Sequence, residues 1–458
     1  MGELGLPDIE RCFGGAIPGV LATASAEGVV NVTYISRAHQ VDDERVAVSN
    51  QFMSKTSRNL ADNPRASLLL LDPLTHDEYR LSLVYERTER RGPVFDRLRA
   101  DIDALAALEN MQDVYRLRAA DVFRVMAIEQ NPPNPSGAFQ TDMPAVRHGS
   151  AELSGLAELA LCIGRAGDLD MLVETALGGL DRVLGYRHTV LLLLDESGTR
   201  LYTIGSHGFD RQGVGAEVLL GSGQIGLAAE RCETLRIGGL HQMKKYARSI
   251  RQSYEQTSTG PGHEVPVVEV DGVQSRIVVP AMARGELIGV LVAESRRPVA
   301  FSAADEHVLG VVATLLAGAV EHLRANDREE SEEFAERTPA ATHSPVDPRP
   351  DGDLAVRFFP VDGSVFLDGN YLIKGVAGRF LWSLLQQHTA DGRVDFTNRE
   401  LRLDASLDLP GFKDNLENRL ILLKRRLDER DVPIRLEKTG RGRFRLVVTA
   451  RPCLESVE

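Results

Sequence analysis

Chemistry in this chain of 458 residues is concentrated in two short stretches, and the first runs from Asn31 to Pro73. It reads as an alternating strand through Val32 and Tyr34, a turn at Asp42-Asp43 and a second strand from Arg45 to Ser49. A polar turn from Asn50 to Ser57 then brings Lys55 and Thr56 together before a short helix, Arg58 to Ala61. Asn63-Pro64 stops that helix, since proline has no amide to donate and disfavours helix at the residue before it. A third strand, Ala66 to Leu71, completes the unit. An ammonium, hydroxyls and free amides at a strand-to-helix turn form a cradle for a phosphate or another anion. A solvated turn with an ordinary surface lysine is the alternative reading.

The second stretch is 413–445, with eleven Lys or Arg against six Asp or Glu, a local excess of five positive charges on a chain of net charge −13. Its helical part, from about Phe412 to Glu429, carries Leu416, Leu420, Leu423 and Leu427 on one face. The opposite face shows Asp414, Asn418, Ile421 and Arg425. Asn418 and Arg425 have the amide and guanidinium geometry that pairs with adenine and guanine edges, and Ile421 suits a thymine methyl. Lys424 and Arg426 flank them as phosphate contacts. Arg441 and Arg443, at a glycine-rich tip between two strands, suit the minor groove or its phosphates. Asp414 and Glu417 beside that face keep open a protein-binding module instead.

The elements that must position these groups fall into three domains, as the length allows. Residues 1–135 are strand-rich, with one helix near Pro93 to Leu108, and NPPNPSGAF (131–139) is a proline-rich break. Residues 150–325 open with helical spacing and continue as strands at 189–195, 200–208, 274–282 and 285–295, with Gly198 and Gly285 in hairpin turns. Ser302 and Asp305 cap a long helix in which Val308, Val312, Leu315, Ala319 and His322 follow the stagger of a two-stranded seam between copies, with a single amphipathic helix packed on its own sheet as the alternative. A helix extension and proline-rich linker occupy 326–353, and residues 354–450 form the last domain, where Thr397 and Glu400 make a capping box. The fold class expected is multidomain α+β.

Three resemblances sharpen this. SNQFMSKTSRN followed by NPRASLLLLDP resembles the split β-barrels related to pyridoxamine 5′-phosphate oxidase, and the likeness runs through CFGGAIPGVLATASAEG (12–28), 79–95 and 113–129. The resemblance implies FMN at a homodimer interface, held by Tyr34, Ile35, Ser36 and His39, then Ser49 and Asn50, then Lys55 and Thr56. Tyr34 and His39 stand where the oxidases often carry arginine and lysine, which leaves haem or a deazaflavin open. Residues 155–325 resemble a GAF domain, an α/β sandwich that cups a small-molecule effector under a lid, here 241–265. No cyclic-nucleotide motif is present; His207, His241 and His263 read as polar surface residues rather than metal ligands. VFLDGNYLIKG, DNLENRLILLKRRL and IRLEKTGRGRFRLVV resemble the winged-helix effector of response regulators, which implies duplex DNA as partner.

Composition narrows the function. The 43% hydrophobic and 26% charged content is that of a soluble globular chain. The apolar runs, such as Val308 to Val320, read as too short and interrupted for a membrane span. The opening residues lack a secretory pattern, and Leu6 stands where myristoylation needs a small hydroxyl residue. Four dispersed cysteines without CxxC spacing suit a reducing cytoplasm and give no zinc site. No catalytic acid, base or nucleophile is identifiable. The expected function is a one-component transcription regulator that senses a small molecule or redox state through the barrel and GAF domain. Alternatives are a flavin-dependent oxidoreductase regulated by its GAF domain, and a scaffold.

Overall fold

The computed structural model describes residues 4–14, 17–51, 53–107, 116–131, 150–195, 197–210, 213–240, 267–333, 352–361, 363–404, 416–430, 432–440 and 442–457. The first unit opens with a 3-10 segment, Leu6–Gly14, and holds strands β1 (Gly19–Ala24), β2 (Val30–Ile35), β3 (Ala38–Gln40), β4 (Arg45–Asn50), β5 (Arg65–Leu71), β6 (Glu78–Glu89) and β7 (Ala119–Gln130). They form one antiparallel sheet in the order β2-β1-β5-β6-β7-β4-β3. Alternation along the strands sends Leu21, Ile35, Val46, Val48, Leu68, Leu81 and Phe123 into one core. Helix α1 (Ser54–Asp62) packs across β1, and α2 (Pro93–Ala107) covers the outer side of β4 and β7. On β2, Val30, Val32 and Tyr34 point outward and are more than 60% exposed, an apolar stripe on an edge strand.

The second unit pairs helices α3 (Ser150–Gly164) and α4 (Leu169–Leu184) with strands β8 (His188–Leu194), β9 (Arg200–His207), β10 (Glu217–Leu219), β11 (Leu235–Ile237), β12 (Ser275–Ala283) and β13 (Glu286–Ser295) in the order β10-β9-β8-β13-β12-β11. Gly198 at φ +68° turns β8 into β9, and Arg284-Gly285 at φ +52° and +85° turns β12 into β13. Two successive positive φ values make the second a primed hairpin turn that matches strand twist. Helix α5 (Gly223–Arg231) lies on one face of the sheet, and α6 (Ala303–Glu333) lies with α3 and α4 on the other. At its start the Ser302 amide donates to Asp305 Oδ2 at 2.8 Å and the Asp305 amide to Ser302 Oγ at 3.3 Å, the capping box expected there.

The proposed seam on α6 is corrected. Val312 is fully buried, and Val308, Leu315 and Ala319 pack on the core beneath β12. The stagger marks the stripe that α6 lays on its own sheet, a role any amphipathic helix face can take. The membrane reading needs correction as well: Ala303–Ala325 is long and apolar enough to cross a bilayer, with mean hydropathy 1.5. Its buried side, Leu309, Val312, Leu316 and Val320, belongs to the core of this domain.

The third unit contains β14 (Asp353–Phe359), β15 (Ser364–Leu367), β16 (Asn370–Ile373), α7 (Gly375–Asp391), β17 (Asp395–Thr397), α8 (Asn398–Leu403), α9 (Leu416–Arg430) and a hairpin of β18 (Ile434–Gly440) and β19 (Arg443–Val448). The capping box of Thr397 and Glu400 opens α8. A last strand, β20 (Arg451–Ser456), pairs parallel with β14 and extends the sheet to the order β16-β15-β14-β20.

Two junctions join these units. Helix α2 lays Ala100, Ile102, Ala104, Leu105 and Ala106 into a core shared with Leu192, Val278, Val290 and α5 of the second unit. Around it Arg97 grips Glu306 through both guanidinium nitrogens at 2.9 and 3.3 Å, and Arg231 pairs with Asp103. Helix α9 packs on α4 and β9.

His39 on β3 faces the first junction, among Asp101, Arg97, Arg37 and Arg236. Burial pushes its pKa down to about 4, with Asp101 opposing and the three arginines adding to the drop. The folded state therefore keeps the ring neutral, while the unfolded chain takes up a proton near 6.5. Stability is complete above that value and is lost as pH falls toward about 4. The urea midpoint should drop over this window, and the His39→Gln variant should drop less. Superimposable pH profiles for the two proteins would clear His39 of the effect.

Candidate functional site

Helix α1 starts at Ser54, four residues before the sequence indicates, so Lys55 and Thr56 stand in its first turn and not in a loop ahead of it. Its N-cap, Met53, makes no side-chain cap hydrogen bond. First-turn amides without a cap carry the positive end of the helix dipole. In front of this turn lies a cavity of about 340 Å³, lined by Asn50, Ser54, Ser57, Thr88, Arg90 and Arg118 among others. That volume falls in the range of ligand pockets, ~300–1,000 Å³. One wall is fixed by a hydrogen-bond chain on buried Asp121: Asn50 Nδ2 donates to its Oδ2 at 2.8 Å and Thr88 Oγ1 to its Oδ1 at 2.5 Å. The Asn50 amide also donates to Ser57 Oγ at 3.2 Å, and the Tyr85 and Thr88 hydroxyls lie 2.7 Å apart.

The residues expected to hold a cofactor are only partly brought together. Asn50 lines the cavity with Ser54, whereas Lys55 is exposed next to Ser54 in sequence and is not part of the lining. Thr56 is buried and accepts from Asn31 Nδ2 at 3.0 Å, tying α1 to β2. Ser49 is buried too, its hydroxyl accepting the Arg37 amide at 3.1 Å. Ile35 turns fully into the core and pairs with Gly19 of β1. Ser36 donates to Gln51 Oε1 at 2.9 Å, Tyr34 is exposed on β2, and His39 sits at the domain junction. Arg90 and Arg118 were not anticipated, because they come from strand ends remote in sequence. Their one visible signal is a basic cluster, Arg87 to Arg91 and Arg116 to Arg118.

In the second unit, the expected lid 241–265 lies outside the described residues, as do His241 and His263. His207 Nε2 is 2.9 Å from Asp181 Oδ2, a satisfied polar pair. No cluster of metal-ligating side chains occurs among the described residues. Beside α5, Arg276 on β12 bonds Glu294 Oε1 at 2.8 Å and Gln224 Oε1 at 2.9 Å. Burial pushes the Glu294 carboxyl up despite Arg276, so this charged pair sits in a poorly solvated place.

The basic stretch of the third unit is arranged differently from the expectation. The face of α9 meant to point outward lies against α4: Ile421 is buried, and Arg425 Nε donates to Asp170 Oδ1 at 2.8 Å. Lys424 Nζ reaches Asp170 Oδ2 at 3.0 Å. Burial pushes the Asp170 carboxyl up, but Arg425 and Lys424 outweigh it and hold the group below the usual carboxylate range. Arg426 cannot act as a phosphate contact here. It is 5% exposed and holds the Leu372 carbonyl at 2.9 Å and Glu429 at 2.6 Å within its own domain. Arg443 stays exposed at the hairpin; Arg441 and the Asn418 side chain lie outside the described residues.

Comparison with known proteins fits this layout. The family model of pyridoxamine 5′-phosphate oxidase matches residues 7–130, and the GAF domain model matches residues 168–320. The chain thus carries a split-barrel domain of the oxidase type followed by a GAF domain. No curated protein matches it. Among solved structures it is similar to the GAF domain of an Acinetobacter phosphoenolpyruvate-protein phosphotransferase, with 22% identity over 39% of this chain and 97% of that one and a TM-score of 0.32. It is similar to an FMN-binding protein from Syntrophomonas wolfei subsp. wolfei, with 20% identity over 28% of this chain and 86% of that one and a TM-score of 0.24. It is also similar to free methionine-R-sulfoxide reductase from Neisseria meningitidis in complex with its substrate, with 19% identity over 38% and 91% and a TM-score of 0.29.

The Asp121 network should be structural in the barrel whether or not the cavity is filled. Asp121→Ala leaves the buried Asn50 amide with Ser57 Oγ alone and takes away the acceptor of the Thr88 hydroxyl, which costs about 1–3 kcal/mol. Lys55→Ala, at an exposed site, should stay within about 0.5 kcal/mol of the parent. Denaturant titration of both variants reads the contrast, and equal midpoints would refute it.

Proposed function

We propose that the chain is a one-component transcription regulator: a flavin-binding split barrel and a GAF domain report to a C-terminal winged-helix module that binds duplex DNA. The observation carrying this is the third unit itself. Helices α7, α8 and α9 are followed by a two-stranded hairpin whose tip holds exposed Arg443, and α9 carries the adjacent cations Lys424 and Arg425, both held here by Asp170. Such a helix and wing suit a groove and its flanking phosphates. On a chain of net charge −13, a basic patch confined to one domain favours a local polyanion partner over diffuse electrostatics.

For the barrel, the donor set in front of α1 fits the phosphate of FMN. Ser54, Lys55 and Ser57 with the first-turn amides would hold it, and Arg90 and Arg118 stand across the cavity. FMN would supply the redox chemistry, while the chain's own groups bind and orient. The exposed Val30, Val32 and Tyr34 stripe supports a homodimer formed through β2, since an apolar edge strand left bare invites pairing. The GAF domain supports a small-molecule effector, and the packing of the apolar side of α6 into its own domain core supports a cytoplasmic location.

Lys55→Ala combined with Ser54→Ala should lower flavin occupancy after reconstitution with FMN, read from the visible absorption of the purified protein. A parent protein that retains no flavin in excess FMN would end the cofactor reading while leaving the fold untouched.

For the DNA module, selection from random duplexes with the full chain should enrich a motif. Arg443→Ala should then weaken binding to all sequences and reduce the salt slope by about one phosphate contact. If selection at near-physiological salt enriches nothing, the regulator reading is wrong and a protein-binding scaffold takes its place.

A further inference from the structure

We propose that the first turn of α4 is an internal substitute for DNA phosphate: Asp168 and Asp170 hold the basic face of α9 and the wing closed, and duplex must displace them. The inference rests on the regulator reading and adds how that module is regulated. Arg425 is the centre of the contact. Its Nε donates to Asp170 Oδ1 at 2.8 Å, its Nη2 to the Asp170 carbonyl at 3.2 Å and its Nη1 to the Ile204 carbonyl at 2.9 Å. Lys424 closes on the other Asp170 oxygen, and from the wing Lys438 Nζ reaches Asp168 Oδ2 at 2.8 Å. The Arg419 guanidinium lies 5.2 Å from the Tyr202 ring centre, and Lys374 pairs with Glu217 at 3.2 Å. Every one of these contacts joins a cation of the third unit to the GAF domain.

The two surfaces are built for one another. Gly205 on β9 leaves the path of Arg425 clear, because a Cβ there would sit 2.5 Å from Arg425 Nη1. The carboxylates stand at a helix N-terminus, where the dipole favours negative charge, and Asp168 also caps the Met171 amide at 2.9 Å. Guanidinium recognises carboxylate and phosphate with the same forked geometry, so acidic turn and DNA backbone compete for the same donors. Lys424 and Arg425 cannot serve both.

The closed state is vulnerable at one point. The Arg425 side chain is 11% exposed, and removing its counter-charge leaves a nearly buried cation unpaired. That penalty falls on the closed state alone. The test uses the full chain with Asp168→Asn and Asp170→Asn together, since asparagine caps a helix as well as aspartate. Affinity for a fluorescein-labelled duplex of mixed sequence is measured at fixed salt, alongside amide hydrogen exchange at residues 169–173. The variant should bind about tenfold tighter than the parent, equivalent to ~1.4 kcal/mol. Its α4 first turn should exchange fast without DNA, and that of the parent only when duplex saturates it. Equal affinities with unchanged exchange would overturn the closure and leave DNA binding intact. Binding by neither protein would overturn the regulator reading and the closure with it. Thermal melts that match between parent and variant confirm that the comparison is between folded proteins.

Discussion

Helix α2 has an apolar residue on nearly every side, and the first two domains are built around that fact. Leu98 closes the small core with Ala47, Ala120 and Val122 on the outside of the barrel, while Ile102, Leu105 and the alanines around them lie on the GAF sheet. A helix buried on both sides cannot be satisfied by one domain. The face of the GAF sheet opposite α3, α4 and α6 is therefore covered by α5 and by a helix of the preceding domain. A change in the barrel that moves α2 bears directly on α5 and β11 of the GAF domain.

Each junction carries its own pattern of charge. At the first, Arg97, Arg236 and Arg231 face Glu306, Glu10 and Asp103 around an apolar centre, so the polar groups rim a dry contact. At the second, cations of α9 and the β18–β19 hairpin meet two carboxylates that remain about one-quarter exposed. Partly solvated ion pairs are individually weak, and salt screens them. The ion pairs of the first junction are exposed to a similar degree, and the third unit shares an apolar core with the GAF domain, so what sets the second junction apart is the gathering of several cations on two carboxylates.

Periodicity and turn chemistry made much of this legible in advance. The hairpins at Gly198 and Gly285, the boxes at Ser302–Asp305 and Thr397–Glu400, and the β18–β19 strand pair all follow from local rules. What escaped is non-local. The stripe on α6 has the same spacing whether it faces a second copy or its own sheet, so sequence alone could not choose between them. The cavity before α1 is walled by Thr88 and Arg118, thirty and more residues from Ser54, and no spacing rule joins them. Ile421 and Arg425 were read as outward because nothing in α9 itself records that an acidic turn 255 residues away would cover them.

Strand β20 carries a consequence for the order in which the protein is made. It pairs with β14 across nearly the whole third unit, and Arg357 and Glu455, which bond at 2.8 Å, stand 98 positions apart. Domains fold as units during synthesis, N-terminal first. The barrel and GAF domain can therefore close on the ribosome while β14 still waits for its partner, an edge strand with alternating Leu354, Val356 and Phe358. The surface that receives α9 is finished before α9 has a completed domain to belong to. A chain released before Arg451 would keep a competent barrel and GAF pair but expose a bare, partly apolar strand edge of the kind that recruits aggregation.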